Sequence, residues 1–368
     1  MTKIPFLDGA RGIAALLVLF SHIYLGLFNS YPILSATIIA AGHSGVELFF
    51  ILSGFLIGGQ FWKNIIEKRN FNFQNYFVRR ALRVLPLFYI SFAAFFIAYF
   101  FLNHREPNFS IVPFYLLQLH NFFSDVNIIN PPTWTVAVEI HFYLFIALFF
   151  YVLRNKSVRV HLIGILLLFV FVTMYRYYAF EKVFNGGDYR NLVYANSFAR
   201  MDHFFMGVLL AFLYFKADCI DSLKKWGGGI LALLSFVLGI IIHSVLIYFE
   251  YSYRNIISSD SIYFSVNIVG PLTALAWSFI VLSGILQFKP LTSVLSLRPL
   301  RYFGDISYSL YLLHLPLFSY LFKPLFVEFV STNMFFCAIC FIPIIIGICA
   351  LSYNYIEKPF LMVKGKYI

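Results

Sequence analysis

Apolar residues in this chain do not recur at a helical or strand period. They run on in blocks, separated by short stretches that hold most of the Lys, Arg, Asn and Gly. A soluble amphipathic helix keeps a polar face, so a block of about 20 residues that is apolar all round reads as a helix that crosses a bilayer. Such blocks lie at 10–28, 44–62, 83–102, 134–153, 161–178, 197–215, 228–248, 267–287, 303–322 and 334–355. The pattern predicts an all-α polytopic membrane protein with about ten transmembrane helices. The longest segment left over, 103–133, is too short for a soluble domain, so one integral-membrane domain over 1–368, with no appended soluble domain, is expected.

Composition sharpens this picture. Of 368 residues, 61% are hydrophobic and only 12% charged, about half the charge that a water-facing surface needs. The net charge of +11 would suit nucleic acid if it lay on one face, but the basic residues fall between the apolar blocks. With a cytoplasmic N-terminus, 19 of the 27 Lys and Arg fall in inside segments and 6 outside (Arg105, Arg176, Lys182, Arg190, Arg254 and Lys323), leaving Arg11 and Arg200 at helix ends. Short loops rich in Lys and Arg stay in the cytoplasm, so both termini are expected there. Lys3 before an apolar run has the look of a signal peptide, but Asp8 and Arg11 interrupt the run, so a retained first helix is expected. Cys219, Cys337, Cys340 and Cys349 have no spacing of a disulfide framework, and no metal-ligand pattern is read.

Polar groups inside the apolar blocks are costly and therefore informative. Arg11 and His22 are eleven residues apart, about 16 Å along a helix and within about 20° of one face. That face links the cytoplasmic rim to mid-membrane, and imidazole is the side chain best suited to take a proton near neutrality. The alternative is an Arg that snorkels to the rim and a His that bonds a neighbouring helix. Glu139 stands five residues into the fourth block, behind Trp134 and before His141 and Tyr143. It would orient a histidine, bind an acceptor hydroxyl or pair with Arg200, whereas His141 points to another face. Arg79, Arg80 and Arg83 cluster at the cytoplasmic end of the third block, as an anchor against anionic lipid or as forks for a ligand with several phosphates. Tyr308, Tyr311 and His314 share one face of the ninth block.

Taken in order, several motifs resemble one family. They are Phe6 to Gly12 with His22; Gly45-Val46-Glu47 leading to Ser53-Gly54-Phe55; Arg79, Arg80 and Arg83 with Pro86; and Trp134 to Glu139 with Phe142-Tyr143. Arg200 with Gly207, Ser307 to His314, and Glu357 to Phe360 continue the series to the end of the chain. The chain resembles acyltransferase family 3, the bacterial integral-membrane enzymes that O-acylate surface sugars. One position departs, Glu47 standing where Asp is frequent.

The resemblance implies an O-acyltransferase of the bacterial cytoplasmic membrane. Its acyl group, most often acetyl, comes from acyl-CoA on the cytoplasmic side and goes to a hydroxyl of a surface or exported carbohydrate, in polymer or lipid-linked form. Acyl-CoA would be a co-substrate, with no permanently bound cofactor. The expected catalytic residues are His22 as general base and Glu139, with Trp134 and Tyr143 shaping the same cavity. Arg11, Arg79, Arg80 and Arg83 are the expected CoA-phosphate site, and Arg200, Tyr308, Tyr311 and His314 further substrate contacts. A transporter or flippase would share the helix count and midplane polar groups, and a non-catalytic partner of a polysaccharide synthase would need neither the histidine nor the arginines.

Overall fold

The computed structural model describes residues 4–27, 32–102, 106–123, 125–126, 129–216, 221–223, 228–253, 259–322 and 334–365. The long helices are α1 (Pro5–Leu27), α2 (Pro32–Ile66), α3 (Phe73–Leu102), then the short α4 (Val112–Leu116), α5 (Trp134–Val152), α6 (Val158–Phe184), α7 (Ser197–Phe215) and α8 (Gly228–Tyr253). The last third contains α9 (Ser259–Phe264), α10 (Gly270–Ile285), α11 (Lys289–Leu295), α12 (Arg298–Asp305), α13 (Ser307–Pro316), α14 (Met334–Ser352) and α15 (Lys358–Lys364). Among the described residues there is no strand, and nine helical segments are long and apolar enough to cross a membrane. Cys219 and the side chain of Cys337 lie outside the described residues, while Cys340 and Cys349 are free thiols.

The expected span at 303–322 is broken into pieces. Its first residues belong to α12, whose Arg298, Arg301 and Asp305 keep it from being apolar all round. A hinge at Ile306 then leads into α13 and a π-helical turn, Leu317–Phe322. Pro316 has no N–H, so the Leu312 carbonyl loses its helical donor. Asn130 Nδ2 supplies the missing bond at 2.9 Å. Thr135 Oγ1 donates to the Tyr311 hydroxyl (3.0 Å), and the Tyr320 hydroxyl donates to Ile129 O (2.7 Å). The 129–135 segment is thereby sewn to α13.

The bundle has a centre and a periphery. Of the most apolar stretch of α2, 78% is buried, against 17% for α6 and for α8, whose outward residues such as Leu167, Met174 and Ile241 face lipid. Without water on either side, helices associate through close packing, so small residues mark the contacts. A methyl group at Gly54 or Gly207 would run into the facing backbone of Phe204 or Ile51, which fixes α2 against α7. At the other flank α1 packs on α2, α12 and α13. His22 on α1 and His314 on α13 therefore meet across that last contact.

Candidate functional site

The centre of the site is a pair of imidazoles. His314, 1% exposed, points Nδ1 at two backbone carbonyls, Leu310 O (2.9 Å) and Tyr311 O (2.8 Å). Carbonyl oxygens only accept, so Nδ1 carries the proton and Nε2 is left with a lone pair. That nitrogen lies 3.0 Å from Nδ1 of His22, which also faces the Val18 carbonyl at 3.0 Å. Both neighbours of His22 Nδ1 are acceptors, so it donates. The free lone pair of His22 is then on Nε2. A hydrogen-bond chain running from the α13 backbone thus selects the tautomer in which His22 can act as a base.

His22 opens onto a cavity of about 160 Å³. Trp134 and Tyr311 line it too, together with His43, Pro132 and Arg190. Arg190 begins a π-helical turn (Arg190–Tyr194) that leads into α7. Neither His43 nor Arg190 was legible as a site residue in the sequence, because each falls outside the apolar blocks and only the fold brings it to His22.

Next to this cavity a buried ion network crosses three helices. Arg176 forks onto Asp202 with bonds of 2.7 and 2.9 Å, and also donates to Ala199 O at 2.6 Å. Asp202 accepts from His203 Nδ1 (2.8 Å), His203 Nε2 sits 3.4 Å from Glu47, and Glu47 accepts from Arg200 Nη1 at 3.2 Å. Arg200 donates through Nε to Tyr194 O (2.9 Å), with its guanidinium over the rings of Trp134 and Tyr194. Two sequence expectations change here. Arg200 pairs with Glu47 and not with Glu139, and Arg176, counted with an outer loop, lies buried well inside α6 because that helix runs on to Phe184.

Glu139 does not face His22. Its carboxylate accepts from Ser53 Oγ at 2.5 Å and from the Tyr143 hydroxyl one turn on. Neither Glu139 nor Tyr143 lines the His22 cavity, so of the expected group only Trp134 shapes it. The physical reason is helical phase and depth, since Glu139 stands about 7.5 Å beyond Trp134 along α5. Instead, Glu139 acts electrostatically on Arg11, as do Arg83 and Asp8. The expected donor cations are brought together in part. Arg11 and Arg83 are neighbours, and Arg80 lies over Tyr76 and Tyr143 at 5.7 and 5.5 Å. Arg79, farther out, is 3.4 Å from Gln60 Oε1. Tyr308 donates to Val84 O (2.7 Å), tying α13 to α3 beside Arg83. His141 bonds Ser197 Oγ at 2.7 Å on another face of α5.

A family model, Acyl_transf_3, described as an acyltransferase domain, matches residues 4–353. The chain belongs to this family. Among curated proteins, it is 25% identical over 98% of its length to "Putative O-acetyltransferase SACOL0978" of Staphylococcus aureus (strain COL), covering 58% of that protein. It is 24% identical over 97% of its length to "Peptidoglycan O-acetyltransferase OatA" of Listeria monocytogenes, covering 55% of it. The chain thus spans somewhat more than half the length of the curated relatives it matches. No solved structure matches.

Within this Acyl_transf_3 domain the polar residues fall on two levels. His22, His314, Trp134 and Tyr311 meet on one, around the small cavity, and Arg11, Arg80, Arg83, Glu139 and Tyr143 on the other. The spacing along α1 between the two levels is about 16 Å.

Proposed function

We propose that this chain is an acyl-CoA-dependent O-acyltransferase, most simply an O-acetyltransferase, that works across the membrane. The observation that carries the reading is the His314–His22 hydrogen bond, which leaves the lone pair on Nε2 of a histidine that lines the cavity. In this reading the acceptor hydroxyl enters that cavity and gives its proton to Nε2 as its oxygen attacks the thioester carbonyl. The C–S bond breaks, and the proton on His22 passes to the departing thiolate. The products are the O-acyl ester and free CoA thiol. His314 positions His22 and holds the tautomer; it does not exchange a proton with substrate.

The donor binds from the cytoplasmic side, where the half-buried Arg11, Arg80 and Arg83 offer guanidinium forks to its phosphates. Like charges this close are held apart by repulsion unless an anion lies between them, and a polyphosphate supplies it. The pantetheine arm then runs along α1 to His22, since its extended length of roughly 15–20 Å matches the separation of the two levels. Glu139 is the counter-ion of the donor level and not the orienter of His22. The orientation follows the Lys and Arg distribution, with both termini cytoplasmic and the cavity toward the outer side. The acceptor is a carbohydrate, a reading supported by the relative named as a peptidoglycan O-acetyltransferase.

The test is transfer of radiolabelled acetyl from acetyl-CoA to a carbohydrate acceptor by the purified protein in proteoliposomes. Label must leave CoA only when the acceptor is present and His22 intact. Transport of an unmodified sugar without CoA release would replace this reading with a flippase.

A further inference from the structure

A second cavity, about 870 Å³, lies between α1, α2, α8 and α10. Its wall is apolar over most of its extent, with Ala10, Ile13 and Leu17 of α1 facing Ile240 of α8 and Trp277 and Val281 of α10. It abuts the His22 cavity, because His43, Val46, Trp134 and Tyr194 line both. From these residues and the proposed function above, on which the inference rests, we infer that the acceptor is a glycolipid. Its sugar occupies the His22 cavity and its hydrocarbon chain the large one.

Three observations select this occupant. An acetyl donor has nothing long and apolar to place in a space of that size, which lies at the upper end of ordinary ligand cavities. None of Arg11, Arg79, Arg80 and Arg83 lines the cavity, whereas Tyr189, Val193 and Ser265, from segments at the opposite end of the bundle, do. The cavity therefore runs along α1 from Phe6 and Ala10 to the side from which the acceptor comes, with none of the donor cations on its wall. Finally, the ring nitrogens His243 Nε2 and Trp277 Nε1 are buried on its wall with no hydrogen-bond partner among the described residues, their rings 4.7 Å apart. Trp277 Nε1 can only donate. It suits an oxygen of the group that joins sugar to chain, which a plain hydrocarbon lacks.

The experiment compares two glycosides of N-acetylglucosamine, one methyl and one with a 20-carbon isoprenyl chain, as acceptors for acetyl-CoA with the protein in nanodiscs. The KM for the long-chain acceptor should be lower by at least about tenfold, a factor that burial of a few methylenes supplies. Thr273→Phe and Ile240→Trp, which fill the cavity away from His22, should erase that advantage and leave turnover of the methyl glycoside unchanged. Independently of turnover, the isoprenyl glycoside brominated on its chain should quench tryptophan fluorescence, and Trp277→Phe should lose most of the quenching. His22-dependent turnover with no chain-length effect and no quenching overturns the inference and leaves the acyltransfer reading standing. Chain-dependent quenching without acetyl transfer to either glycoside supports the occupant and counts against acyltransfer. Quenching by a brominated long-chain acyl-CoA, with none by the glycoside, assigns the cavity to the donor and overturns the inference.

Discussion

At the scale of single residues, the proposed mechanism turns on the orientation of His22. Replacing His22 by Ala should reduce acetyl transfer by about 10²–10⁴-fold with acetyl-CoA binding retained, as equilibrium dialysis can check. His314→Ala should behave differently, because it removes no proton acceptor but frees His22 to take the wrong tautomer or bond elsewhere. We expect kcat to fall by about 10–100-fold, as for loss of an orienting partner, with KM for acetyl-CoA unchanged. His314→Gln, whose side-chain oxygen can accept from His22 Nδ1, should recover part of the rate; an equal loss in both variants would make His314 a packing residue only. Glu139→Gln should change the KM for acetyl-CoA more than kcat, since it removes the carboxylate beside Arg11 and not a group at the reacting atoms. The pair Arg11 and His22 was legible in the sequence because both stand on one uninterrupted helix. The partner of Glu139 was not, because choosing between Ser53, Arg200 and His22 requires knowing how α2, α5 and α7 are rotated against each other.

At the scale of elements, the sequence located the helices well wherever apolar runs are unbroken, and misjudged the two places where polar side chains complete a backbone. The α12–α13 segment reads as one span by hydropathy, yet it breaks at Ile306, and near Pro316 Asn130 stitches it to a loop. Asn130→Ala would leave the Leu312 carbonyl buried without a donor, at a cost of about 1–3 kcal/mol, read as a lower melting temperature. Arg176 reads as a loop residue because nothing in the sequence announces a charged residue paired inside a span. Removing it by Arg176→Ala leaves Asp202 uncompensated beside His203, and should cost about 3–5 kcal/mol. Arg176→Ala with Asp202→Asn should be milder than Arg176→Ala alone. Between α3 and α5, burial pushes His120 down to about 4, and its ring stacks on Tyr115 at a centroid distance of 4.2 Å. Its folded-state pKa is depressed, so its neutral form contributes stability that is complete above the ordinary His value of about 6.5 and is lost as pH falls toward 4. His120→Phe should flatten the melting temperature over that window.

At the scale of the whole molecule, the proposed function needs a donor level near the cytoplasmic rim, an imidazole pair about 16 Å away, and an acceptor cavity beyond it. The donor level makes a separable prediction. Arg11→Ala and Arg83→Ala should raise the KM for acetyl-CoA with little change in kcat, and Lys at either position should rescue only partly because a point charge replaces a fork. Arg79→Ala should matter less, since that side chain leans toward Gln60 and away from Arg11. The all-helical membrane architecture followed from hydropathy alone, whereas the two cavities could not be foreseen, because their walls come from helices far apart in sequence. The most direct test of the central claim is single-turnover transfer of radiolabelled acetyl from acetyl-CoA in proteoliposomes, comparing the unmodified protein with His22→Gln. The account predicts that the first yields labelled carbohydrate ester and one free CoA thiol per acetyl transferred, while the second binds acetyl-CoA and yields neither. Transfer at an undiminished rate by His22→Gln would contradict it.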